Sequence, residues 1–284
     1  MLLSRTECQA LLEALVLPVS HAGEKIMDIH ARGVVAREKL DGSPVSEADE
    51  AAEAILLAAL ADLAPDILVV SEENAASHAL APPLQFFLVD PVDGTREFLR
   101  PNGNGAFTVN IGLIQNGAPV MGIVLAPALD RAFRGVVGIG AVEEAGGVSR
   151  ALQVRAVPAS GPVAVASRSH RDDATNDWLA ANGITETCAA GSSLKFGLLA
   201  AGEADVYPRF GPTMEWDTAA GEAVQLALAV GGGDELLLGA GVVETASGVA
   251  YELGAPSDVQ IEAWRRPDVA LPVVDAPQMG WVQG

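Results

Sequence analysis

Asp90-Pro91-Val92-Asp93-Gly94-Thr95 sets two carboxylates three residues apart after the apolar run Phe86 to Val89, with a glycine and a hydroxyl next in line. A buried strand delivers such groups at its carboxyl end. Glu72 follows a second apolar run, Ile67 to Val70, and Glu215-Trp216-Asp217-Thr218 opens an apolar helix far down the chain. Asp49 falls in the first turn of another helix. An Asp-x-x-Asp pair alone would as readily bind solvent, cap a helix or make surface ion pairs. Several carboxylates brought together oppose one another's ionisation unless cations balance them. Hard divalent cations with oxygen ligands meet that need, and the lack of a His/Cys cluster argues against structural zinc. A phosphate ester supplies the complementary chemistry, because metals bridge its oxygens, acidify water and stabilise the leaving group. Glu72, Asp90, Asp93 and Asp217 are then the side-chain ligands and the Val92 carbonyl a backbone ligand. Thr95 orients the water and Asp49 receives or relays its proton. Thr95 by itself would read as a helix cap.

The elements that must position these groups follow from periodicity. Leu11, Leu12, Leu15, Val19, Ala22, Ile26 and Ile29 predict a helix over about 8–30. Asp41-Gly42-Ser43-Pro44 is a turn, after which Ser46 caps a helix running to Leu63, ended by Pro65. Strands are expected at 67–70 and 86–89, and a hairpin at 106–114 and 118–125 across Gln115-Asn116-Gly117. Asp130 to Val137 extends that sheet. The first half thus reads as two helices on a mixed or largely antiparallel sheet. Beyond the glycine-rich stretch 135–147, strands and helices alternate: a strand at 163–166 and helices at 171–181, 193–201 and 216–230. A soft boundary near 150–160 divides an N-terminal lobe, 1–155, carrying most ligands from a C-terminal lobe, 156–284, that completes the site.

At 284 residues, half of them apolar, the chain can bury a large core. No stretch is long and apolar enough to span a bilayer. The first residues read as an amphipathic helix rather than a signal peptide, which makes the cytoplasm the default. Cys8 and Cys188 form no metal-ligand or redox spacing. A formal net charge of −20 argues against general nucleic-acid binding. It leaves a small anion open as substrate, since bound cations invert the local charge. Of only three lysines, Lys39 and Lys195 sit inside motifs.

Those motifs are Lys39-Leu-Asp-Gly-Ser-Pro-Val-Ser-Glu-Ala-Asp49, Ser71-Glu-Glu73, Asp90-Pro-Val-Asp-Gly-Thr95, Gly191-Ser-Ser-Leu-Lys195 and Glu215-Trp-Asp-Thr-Ala-Ala-Gly221. Together, over roughly residues 5–245, they resemble the inositol monophosphatase superfamily. Ser167-Arg-Ser-His170 and Asp205-Val-Tyr-Pro-Arg-Phe-Gly-Pro212 are similar to its CysQ-type 3'(2'),5'-bisphosphate nucleotidase branch. The resemblance implies an α/β fold (α+β in some schemes), a layered sugar-phosphatase architecture with alternating helix and sheet layers. It implies two or three Mg2+ ions on Glu72, Asp90, Val92, Asp93 and Asp217, water activation by Asp49 and Thr95, and lithium sensitivity. Substrate contacts are expected from Lys39, Gly94, Thr95, Arg168, His170, Ser192, Lys195, Arg209 and Asp217. Arg168 would clamp a second phosphate, His170 donate to it and Lys195 add a mobile charge, while Ser192 and Ser193 place hydroxyls at a helix start. A surface Arg–His turn, a serine cap and an Arg209 bracing Asp205 are the plain readings of the same residues.

The expected reaction is hydrolysis of adenosine 3',5'-bisphosphate to AMP and phosphate, with its sulfated precursor, 3'-phosphoadenosine 5'-phosphosulfate, as a related substrate. No protein nucleophile is involved. An inositol or other sugar monophosphatase, or a noncatalytic phosphate- or metal-binding protein, are the alternatives. The tail from Gly254 departs from the family's usual ending, and Trp264 to Val274 either packs on the body or forms an interface. A homodimer is left open.

Overall fold

The computed structural model describes residues 1–34, 36–38, 44–79, 83–100, 105–153, 158–167, 172–210, 213–228, 242–245 and 261–265. Helix α1 (Arg5–Arg32) starts at a reciprocal cap: Glu7 N donates to Ser4 Oγ and Ser4 N to the Glu7 carboxylate. A short hairpin, β1 (Ala36–Glu38) and β2 (Pro44–Ser46), leads into α2 (Glu47–Leu63). Next come β3 (Leu68–Ser71), a 3-10 turn at Ala75–Ala79, β4 (Gln85–Asp93) and the one-turn helix α3 (Thr95–Phe98). Strands β5 (Thr108–Gln115), β6 (Ala118–Ala126), β7 (Arg131–Val136), β8 (Gly140–Ala145) and β9 (Val148–Ala151) complete a seven-stranded sheet in the order β3-β4-β5-β6-β7-β8-β9. The β3–β4 pair is parallel and the rest antiparallel. Asn116 and Gly117, both at positive φ, make the β5–β6 turn.

The rest of the chain contributes β10 (Val163–Ser167), α4 (Asp173–Ala181), β11 (Glu186–Ala190), α5 (Leu194–Ala200), β12 (Val206–Pro208), α6 (Glu215–Ala227), β13 (Val242–Thr245) and β14 (Ile261–Arg265). Its strands form a second sheet, ordered β11-β10-β12-β14-β13. Alternation along the strands separates the layers. Ile111, Leu113, Met121 and Ile123 join Leu15, Ile26, Leu56 and Leu60 of α1 and α2 in one core. Val124 and Phe133 face Phe196, Leu199 and Val224 of α5 and α6 in another, which also takes Val165 of β10. Ala164 and Val206 face the other way, onto Leu179 of α4. The result is helix pair, sheet, helix pair, sheet, helix. This is the layered architecture expected from the motifs.

The structure extends two readings. The glycine-rich stretch 135–147, where the sequence predicts no element beyond Val137, holds β8 and leads into β9, because Gly138 and Gly140 turn one strand and Gly146-Gly147 the next at positive φ. The strand read at 86–89 also continues through both aspartates to Asp93. The tail left undecided places the backbone of β14 between β12 and β13.

The contact that seats α6 is made of absences. Gly112, Gly122 and Gly135 stand opposite one another on β5, β6 and β7. A Cβ on Gly122 would lie 2.1 Å from the Ala220 carbonyl oxygen, one on Gly112 2.8 Å from Ala219 Cβ, and one on Gly135 2.8 Å from Ala227 Cβ. Isolated glycines within strands mark such backbone approach. Replacing Gly122 with Ala must push α6 off the sheet, costing about 3 kcal/mol by overpacking. Urea unfolding should show a clearly lowered midpoint; a wild-type midpoint would mean the helix sits elsewhere.

Candidate active site

Two strand ends and four helix starts converge at one place. Asp90 pairs with Asn110 and Asp93 with Thr108, so β4 carries one extra residue there, a bulge that re-aims both acids. Gly94, at φ +89, then turns the chain into α3. Glu72 directly follows β3, parallel to β4, and its N–H donates to the Val89 carbonyl at 3.0 Å. Asp217 is the third residue of α6 and Asp49 the third of α2. One oxygen each of Asp90, Asp93 and Asp217 lie within 4.8 Å of one another.

Each of the four aspartates commits an oxygen to local hydrogen bonding. Asp49 Oδ2 accepts from Ser46 N at 2.8 Å and Ser46 Oγ at 2.6 Å, leaving Oδ1 3.4 Å from Thr95 Oγ1. Asp90 Oδ1 accepts from Val92 N at 3.0 Å. Asp93 Oδ2 accepts from Ser193 N at 2.6 Å. Asp217 Oδ2 accepts from Thr213 Oγ1 at 2.8 Å and Met214 N at 3.1 Å. Fixing one oxygen fixes the direction of its twin.

Ser193 ties two of these acids together. Its hydroxyl accepts from Asn110 Nδ2 at 3.0 Å and lies 2.7 Å from Asp93 Oδ2 and 2.5 Å from the Asp217 carbonyl. It is 1% exposed, so this hydroxyl serves the Asp93 carboxylate and the Asp217 backbone and is not presented to an anion as the sequence suggested. Asn110 did not stand among the expected site residues, and Ser193 was expected only as an anion-facing hydroxyl. The available signal was Asn110, a polar residue amid the apolar run of β5.

Glu72, Asp90, Val92, Asp93, Gly94, Thr95, Ser192, Lys195, Arg209 and Asp217 all line one cleft of about 430 Å³. Asp49 lies behind it, buried, against Thr95. Lys39, Arg168 and His170 lie outside the described residues. Tyr207, Arg96 and Glu97 also line the cleft without having been expected there. Lys195 is not a mobile charge: its ammonium donates to the Ser192 carbonyl and sits 5.0 Å above the Tyr207 ring centre. Arg209 Nη1 lies 3.5 Å from the Tyr207 hydroxyl, while Asp205 is engaged by Val163 N.

The electrostatics are those of a site short of positive charge. Burial, then the charges of Glu72, Asp93 and Asp217, push the Asp90 carboxyl well above its usual range. Burial and Asp217 raise Asp93 to about 6, against the opposing pull of Lys195 and the Ser193 hydrogen bonds. Asp90 Oδ2 is buried and has no hydrogen-bond partner among the described residues. An all-oxygen donor set with an orphaned buried carboxylate oxygen fits a hard divalent cation.

A raised carboxyl pKa makes the folded protein bind more protons than the unfolded chain between the ordinary value of 3.8 and about 6. The metal-free protein therefore loses stability as pH rises through that window. Asp93→Asn should flatten the loss and raise the melting temperature of the metal-free protein at neutral pH. Equal pH slopes for the two proteins would refute the electrostatic account.

The sequence matches the model of the inositol monophosphatase family over residues 8–257. It is 44% identical over 220 residues to the 3'(2'),5'-bisphosphate nucleotidase CysQ of Salmonella typhimurium, covering 76% of this chain and 87% of that one. Among solved structures it resembles CysQ from Bacteroides thetaiotaomicron, with 36% identity, 78% and 87% coverage and a TM-score of 0.65. An IMPase from Thermotoga maritima, at 21% identity, 90% and 92% coverage and a TM-score of 0.71, shares the fold. The chain belongs to the inositol monophosphatase family of phosphatases and groups with its CysQ members.

Proposed function

We propose that this protein is a magnesium-dependent 3'(2'),5'-bisphosphate nucleotidase that hydrolyses the 3'-phosphate of adenosine 3',5'-bisphosphate to AMP and phosphate. The observation that carries the reading is a single cleft lined by two sets of charge. Glu72, Asp90, Asp93 and Asp217 are the acidic set, and Lys195 and Arg209 the basic one. The first suits cations that hold the scissile phosphate, and the second suits another phosphate of the same substrate. The names and identity of the CysQ relatives support it. The sulfated precursor shares the 3'-phosphate and is included in the substrate range.

Glu72, Asp90, the Val92 carbonyl, Asp93 and Asp217 would hold the cations, two or three Mg2+ ions. When bound, the cations neutralise these acids, polarise the phosphoryl group and make water more acidic. The protein's own part lies with Thr95 and Asp49. Thr95 Oγ1 stands 3.2 Å from the Val92 carbonyl and 3.4 Å from Asp49 Oδ1, placed to orient a water and pass its proton to Asp49. The water oxygen bonds to phosphorus, and the ribose 3'-oxygen leaves with its electron pair and is protonated by solvent. Gly94 and Thr95 open α3 beside the phosphate position, and Lys195, Arg209 and Ser192 orient the nucleotide. Lys39, Arg168 and His170 are assigned to the same substrate by their motifs alone.

Phosphate release over a panel of substrates, with Mg2+, with Ca2+ and with added Li+, tests the reading. The bisphosphate should turn over far faster than inositol monophosphate, with Mg2+ required and Li+ inhibitory. Comparable rates on both substrates would make the protein a broad sugar-phosphate phosphatase instead. Asp217→Ala should lower kcat roughly 100-fold or more. Arg209→Ala should raise KM for the bisphosphate about tenfold while sparing a simple phosphate ester.

A further inference from the structure

His78 takes no part in the chemistry above, yet it touches both flanks of the acidic cluster. It stands in the 3-10 turn Ala75–Ala79. Its Nε2 lies 2.8 Å from the carbonyl oxygen of Ser71, the residue directly before Glu72. A carbonyl only accepts, so this bond places a proton on Nε2. The imidazole also stacks on Trp216, the residue directly before Asp217, with centroids 4.9 Å apart and planes inclined by 25°.

Both ends of this bridge are themselves held. Ser71 N donates to Ser77 Oγ at 3.2 Å, Ser77 Oγ donates to the Asn74 carbonyl at 2.6 Å, and Ser71 Oγ donates to Glu53 of α2. Trp216 packs on Val70, Phe86, Leu88, Ile114 and Ala219, the small core formed where β3, β4 and β5 meet α6. The backbone before Glu72 and the helix start before Asp217 are thus joined through one imidazole. Ligand carboxylates work only when their separation matches the ion, and outer partners that set it commonly change metal affinity 10- to 100-fold.

We infer that His78 is a positioning residue, which holds Glu72 and Asp217 in place relative to each other within the cation-binding acidic cluster. The inference rests on the reading of these two acids as cation ligands. Calorimetric titration of the full-length protein with Mg2+ at neutral pH, below the melting temperature of each variant, tests both separately. His78→Ala should raise the Mg2+ dissociation constant about tenfold. His78→Phe, which keeps a ring on Trp216 without a donor, and His78→Gln, which keeps a donor without the ring, should each fall between His78→Ala and wild type. A lowered melting temperature with wild-type Mg2+ affinity in all three variants would make His78 part of the packing only and overturn the inference. A wild-type protein that takes up no Mg2+ would overturn the ligand reading first.

Discussion

The acidic cluster exists because α6 lies in direct backbone contact with the seven-stranded sheet. Asp217 is about 125 residues from Asp90 and Asp93 in sequence, and only the seat of its helix brings them together. That seat is a row of three glycines, Gly112, Gly122 and Gly135, in register across β5, β6 and β7. The helix answers with Ala219, Ala220 and Ala227. Gly221 on the far side of α6 likewise admits Phe196 of α5, where an added Cβ would lie 2.3 Å from the ring. Close packing of this kind leaves no slack, so the helix start is placed by backbone contact rather than by flexible side chains.

What that geometry costs is electrostatic. Asp90, Asp93 and Asp217 crowd together in a protein of formal net charge −20. Two features reduce the repulsion before any ligand is considered. Asp49 and Asp217 sit in the first turns of α2 and α6, where the helix dipole favours negative charge. Lys195, held against Tyr207, contributes a fixed positive charge that Asp93 feels. Burial first, and the neighbouring acids after it, still hold the Asp90 and Asp93 carboxyls above their usual range, and a bound cation would offset both.

Much of this was legible because it is local. The aspartates at the end of an apolar run, the Ser46 cap with Asp49 three residues on and the acidic start of α6 are short patterns with short-range causes. The structure gathers these residues, with Glu72, around one cleft. The glycine row was not legible, since its meaning lies in a pairing register between strands that no single stretch displays. The strands β8 and β9 were hidden for the opposite reason: their turn glycines dominate a short segment and mask the alternation between them. Ser193 and Lys195 were assigned outward roles from their types, whereas burial turned the serine onto Asp93 and clamped the lysine on Tyr207.

The division of labour within each carboxylate has a consequence for how this chain can change. Asp49 and Asp217 each cap the helix that carries them, through Ser46 N and Met214 N. Loss of either acid removes a charge-assisted bond at a helix start, about 1 kcal/mol or more each. A lineage that discarded the chemistry could not keep the scaffold unharmed, because the two oxygens of one side chain serve both. Decay of the site and decay of the fold are chained together, and a silent, folded relic of this protein would need new caps before it could afford to lose its acids.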